Sequence, residues 1–118
     1  MTGIMIDWDQ VTRLRDEVGA EDFDEIVALF IEEVEEVTAR LASGQSPVSV
    51  EEDLHLLKGS ALNLGFTRFS ALCQSGETRA ALGEASRVDL QPILSAYAMS
   101  KAAFLDALPT AFNSQTSL

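Results

Sequence analysis

The sequence predicts an all-α fold, an antiparallel up-down four-helix bundle with a short additional N-terminal helix. Three observations carry that expectation. No segment sustains the period-two alternation of a half-buried strand, and the glycine dipeptides of tight hairpins are missing. Apolar residues recur instead at spacings of 3 and 4 along most of the chain. Stop signals at Gly19, Ser43-Gly44, Gly65 and Pro109 cut that pattern into pieces joined by short loops, the layout of antiparallel neighbours.

In order, the first piece is a short helix near 8–17 that ends before Gly19. A long helix follows near 20–43, with Phe23, Val27, Phe30, Val34, Val37 and Leu41 on one face. The third starts within Ser46-Pro47-Val48-Ser49. Either Ser46 caps it with Pro47 in the first helical position, or Ser49 and Glu52 form a capping box. It ends at Gly65. A fourth covers 67–84, with Phe69, Leu72, Cys73, Gly76 and Ala80 inward. The last runs from an Asp89 cap to about Leu108, burying Leu90, Ile93, Leu94, Tyr97, Phe104 and Leu105. Pro109 is read as its stop, which leaves 109–118 as a frayed polar tail.

The 118 residues fit one domain spanning 1–118, and 47% hydrophobic against 23% charged residues is enough to bury a core. A formal net charge of −11 argues against nucleic acid and anionic membranes as partners, because both repel it. The acidity is uneven. Residues 1–54 hold 15 acids and 3 bases, whereas 55–118 hold 4 acids and 5 bases. That asymmetry is either the solvated face of the long helix or a field that steers a partner with a basic rim. A single cysteine excludes a disulfide framework, and one histidine with one cysteine cannot build a structural zinc site. Neither a membrane-spanning run nor a signal peptide is evident, so the expected compartment is the cytoplasm.

The chemistry concentrates in Glu51–Gly65, EEDLHLLKGSALNLG. Val50, Leu54, Leu57, Ala61 and Leu64 form one buried stripe. On a wheel of ~100° per residue, His55 lies ~140° from the middle of that stripe, Lys58 ~80° and Gly59 ~180°. His55 therefore faces solvent, beside Glu51, Lys58, Gly59 and Leu62. An imidazole in water is a good nucleophile near neutral pH. Lys58, three residues on, can bring an ammonium to a group on the ring. Gly59 costs about 1 kcal/mol relative to alanine inside a helix, yet it clears space beside the ring. Leu62 adds an apolar contact for docking. An imidazole that accepts and returns an anionic phosphoryl group fits all four, since phosphoryl transfer depends on positioning and charge stabilisation.

The pattern His55-x-x-Lys58-Gly59-Ser60-x-x-x-x-Gly65 resembles the signature of histidine phosphotransfer (HPt) domains of two-component phosphorelays. Asn63-Leu64-Gly65 and Leu72-Cys73-x-x-x-Glu77 fit that family too, and the likeness covers the whole bundle. The resemblance implies that His55 carries the phosphoryl group on Nε2 and exchanges it with a receiver-domain aspartate. It implies that Lys58 stabilises the loaded state and that Gly59 lets the receiver approach. Glu77 is the candidate to accept from Nδ1–H and fix the tautomer, with Gln74 as the alternative. Ser60 begins the next turn, at ~280° on the wheel, and is expected to face the helix packing rather than the phosphate. Gly76 departs from the larger apolar residue usual in the family, which puts in doubt how tightly the fourth helix packs near the site. Cys73 reads as a small core residue rather than a redox switch.

The function expected is a stand-alone phosphocarrier between the receiver of a hybrid sensor kinase and the receiver of a response regulator. It would be monomeric, with no ATP site and no cofactor, any Mg²⁺ belonging to the receiver. The competing reading is an adaptor that docks a receiver or kinase and inhibits it without transfer. A hydrolase is the third, with Glu51 or Glu52 as the nearby bases.

Overall fold

The computed structural model of the protein describes residues 5–112, which fold into five α-helices: α1 (Trp8–Val18), α2 (Ala20–Ser43), α3 (Val50–Leu64), α4 (Thr67–Arg79) and α5 (Leu90–Ala111). Each start has a local cause. The Asp7 carboxylate accepts from the backbone N–H of Asp9 and Gln10 and so caps α1. For α3 the structure selects Ser49, whose hydroxyl oxygen accepts from Glu52 N–H at 3.1 Å while its O–H donates to the Glu52 carboxylate at 3.2 Å. Asp89 caps α5 through Gln91 N–H.

Gly65 ends α3 at φ +78° and also allows a close approach. A Cβ there would sit 2.7 Å from the Asp7 carbonyl oxygen, and Asp7 N–H donates to the Gly65 carbonyl at 2.7 Å. This backbone bond, with an isolated antiparallel bridge between Ile6 and Phe66, ties the N-terminal segment and α1 to the end of α3.

Contacts run α2–α3, α3–α4, α4–α5 and α5–α2, closing a circuit, and α1 packs on α2 and α3. The core between them includes Val34 and Val37 of α2, Leu54, Leu57 and Leu64 of α3, Phe69 and Cys73 of α4, and Ile93 and Phe104 of α5. Phe66 meets both Tyr97 and Phe104, and Trp8 stacks on Phe104 with ring centroids 5.6 Å apart. A buried stripe on each helix against its neighbours is the source of most helical stability in such folds.

Four expectations are corrected. Regular α4 stops at Arg79 rather than 84 and passes through a wider turn over Ala80–Glu84, broken by Gly83 at φ +84°. Pro109 does not stop α5, which continues to Ala111. Its φ suits a helix, and the last turn is held by Phe112, which lies edge-on to Phe23 and under the Arg15 guanidinium. Packing thus extends through Phe112, inside the expected frayed tail, and residues 113–118 lie outside the described residues. Leu105, read as inward, is exposed; Ala96 and Ser100 share the buried face with Ile93, Tyr97 and Phe104. Finally, α4 packs closely at Gly76. A Cβ there would lie 2.9 Å from Leu54 Cδ1 and 3.3 Å from Ile93 Cδ1, so the missing side chain is what lets three elements meet.

Candidate functional site

α3 presents two opposite faces within one turn. Inward, Leu54 and Leu57 are fully buried, and outward the His55 side chain is 69% exposed. The ring is anchored on one side only. His55 Nδ1 lies 2.8 Å from Glu77 Oε2 on α4. Glu77 is held below the usual carboxylate range, first by the Lys58 ammonium paired with it and then by the hydrogen bond from His55, against the opposing effect of burial. An ionised carboxylate only accepts, so in the neutral ring the proton sits on Nδ1 and the lone pair on Nε2. Nε2 has no protein partner among the described residues and faces solvent.

Lys58 reaches α4 as well. Its ammonium lies 2.9 Å from Glu77 Oε1 and donates to Gln74 Oε1 at 3.0 Å, and Gln74 Nε2 donates to Thr78 Oγ1 at 3.1 Å. Glu77 thus bridges the histidine and the lysine with one oxygen to each. Gln74, the alternative partner for the ring, instead holds the lysine. Gly59 lies on the exposed side, and nothing comes within 4 Å of where its Cβ would be. Leu62 is 57% exposed on the same side. Glu51 is exposed in the first turn and forms no ion pair or side-chain hydrogen bond among the described residues. Ser60 points inward as expected, donating to Glu33 Oε1 at 2.8 Å. Cys73 is buried and its thiol pushed up to about 12, by burial first and the Glu77 charge second, so at neutral pH it is a packed thiol and not a nucleophile.

Two participants escaped the sequence reading. Thr78 orients the Gln74 amide, and its only signal was the i, i+4 spacing from Gln74. Asp53 was passed over because an acid in a first helical turn is ordinary. It is fully buried, and its Oδ1 accepts from Arg40 Nε at 3.1 Å and Nη2 at 2.7 Å.

The arrangement offers an oriented imidazole with a free lone pair, a cation one turn away and open backbone beside it. No group of His, Cys, Asp and Glu able to hold a metal ion occurs among the described residues, and no helix there is long and apolar enough to cross a membrane. No curated protein and no solved structure matches the chain. Residues 25–111 match the family model of the Hpt domain, a span that contains His55, Lys58, Gly59, Gln74, Glu77 and Thr78. The chain belongs to the HPt family, the histidine-phosphotransfer domains of two-component signalling.

Proposed function

We propose that the chain is a stand-alone phosphocarrier that relays a phosphoryl group through His55 between the receiver-domain aspartates of a hybrid sensor kinase and a response regulator. The observation that carries this reading is an exposed ring tied at Nδ1 to an ionised Glu77, with Nε2 left open. Nε2 attacks the phosphorus of an aspartyl phosphate. The Nε2–P bond forms, the P–O bond to the aspartate breaks, and its electron pair stays on the departing carboxylate. The ring keeps its Nδ1 proton and takes on a positive charge, which faces the Glu77 carboxylate. The same step in reverse passes the group on.

In this reading Lys58 offsets the phosphoryl charge, and Gly59 and Leu62 receive the partner, with Glu51 at the edge of that surface. The receiver supplies any Mg²⁺, and the carrier works in the cytoplasm as a monomer without an ATP site of its own. The bundle serves as one HPt domain with up-down helices. Opposed numbering across contacts supports this, with Glu33 to Ser60 and Arg40 to Asp53 between α2 and α3, and Phe23 to Phe112 and Glu35 to Tyr97 between α2 and α5.

The test is phosphoryl transfer from a panel of phosphorylated receiver domains, with His55→Gln alongside. Acid-labile label on the wild type and none on a folded His55→Gln is the expected result. A receiver that binds without any transfer would replace the carrier with the inhibitory adaptor.

A further inference from the structure

We infer that Gln74, oriented by Thr78, is a positioning residue that holds Lys58 on α4 in the unloaded protein, so that the lysine must leave it to reach the phosphoryl group. The inference rests on the phosphocarrier reading of His55. Lys58 sits three residues after His55 and is the cation placed to meet an incoming phosphoryl group, yet its side chain is only 21% exposed beside a ring that is 69% exposed. Its ammonium is committed to two acceptors on the neighbouring helix, Glu77 Oε1 at 2.9 Å and Gln74 Oε1 at 3.0 Å.

The two acceptors are not equivalent. Glu77 also holds the ring, so its distance to the reacting nitrogen is fixed by the histidine itself. Gln74 touches the lysine and not the ring. Its amide has one workable orientation, because the flipped amide would turn an NH₂ toward an ammonium, a donor against a donor. With the orientation set by the lysine, Thr78 holds the other end of the amide by accepting from Nε2 at 3.1 Å. The result is a chain from Thr78 through Gln74 to Lys58 along the exposed side of α4.

A phosphoryl group on Nε2 carries close to two negative charges and three acceptor oxygens, a stronger partner for an ammonium than a neutral amide. Loading therefore trades the Gln74 bond for a phosphoryl bond, and the Gln74 bond sets how readily the lysine makes that exchange. The hydrogen bond opposes loading and favours release, tuning the carrier toward passing its group on rather than keeping it.

Potassium phosphoramidate serves as the phosphoryl donor, so that no partner protein is needed, with loading followed by ³¹P NMR. Gln74→Leu is expected to load about three- to tenfold faster than wild type, the range for the net contribution of one ordinary hydrogen bond. Thr78→Val should move in the same direction by less, and Thr78→Ser should restore the wild-type rate. In a Lys58→Met background Gln74→Leu should have no further effect, because its action passes through the lysine. The side-chain ammonium signals of only two lysines, Lys58 and Lys101, give an independent readout. That of Lys58 should shift on loading in the wild type and weaken in unloaded Gln74→Leu as exchange with water increases.

An unchanged loading rate and unchanged Lys58 signal in Gln74→Leu would overturn the inference while leaving the carrier reading standing. So would a Gln74→Leu effect that persists without Lys58. A wild type that loads from no receiver domain and not from phosphoramidate would overturn both.

Discussion

Two charge clusters grow from the same turn of α3, and they are built for opposite ends. Asp53 points inward, fully buried, with one oxygen gripped by the Arg40 guanidinium and the other, Oδ2, without a hydrogen-bond partner among the described residues. His55, two residues later, points outward to share Glu77 with Lys58. In the first cluster both charges are locked by their surroundings, and its partners come from α2. In the second the groups are tied just enough to be oriented, its partners come from α4, and the ring is left exposed with Nε2 unpaired among the described residues. A 100° step per residue is enough to divide one turn between a buried ion pair and an exposed cluster.

The contrast makes a separable prediction. The largest expected effect is on the outer cluster, where His55→Gln removes all phosphoryl acceptance while leaving the thermal unfolding of the bundle unchanged. Arg40→Leu should do the reverse. It leaves a fully buried carboxylate unpaired and should lower stability by about 3 kcal/mol, read from urea melts, with the folded fraction still accepting label. A variant in which both properties fall together would break the separation.

Glu77→Ala tests the hinge between orientation and reactivity. It should slow transfer about tenfold, because the ring loses the acceptor that fixes its tautomer. Glu77 also gives the comparison a pH axis. Its pKa is depressed in the folded state, so its pairing stabilises the protein above the ordinary carboxylate range and that contribution disappears as pH falls through the folded value. The stability gap between wild type and Glu77→Ala should therefore be present at pH 7 and shrink in acid, in urea melts at both pH values. The Glu35 carboxylate, lowered first by its bond from Lys101 and then by that from the Tyr97 hydroxyl, adds an acid-sensitive term of the same sign in both proteins.

The smallest effect sharpens the same point. Gly59→Ala adds a methyl group into open space and restores helix propensity, so it should raise stability by about 1 kcal/mol, measured by thermal melts. Gly59→Glu at the same place should slow transfer through bulk and repulsion of the phosphoryl group. Those two results together would mark a surface kept clear for a partner at the expense of stability.

Much of this was legible in advance where it depends on local periodicity. The apolar stripe of α3 puts Leu54 and Leu57 inside and His55 outside, and the ends of α1 to α3 follow from Gly19, Gly44, Ser49 and Gly65. Pro109 misled because a proline is a reliable stop only when nothing beyond it packs, and Phe112 packs on Phe23 and Arg15. Gly76 misled in the other direction. A small residue reads as loose packing from the sequence, whereas here it lets Leu54, Val88 and Ile93 close over it.

The sequence by itself determined the helices, the direction in which His55 faces and the set of polar residues around it, because 3.6 residues per turn fixes which side chains share a face within one helix. Only the tertiary structure decided how those residues pair: Glu77 with both ring and lysine, Gln74 with the lysine alone, Asp53 with Arg40. Such pairings depend on the rotation of one helix against another and on their axial register. Both are set by how side chains of different elements interdigitate, which no single helix encodes.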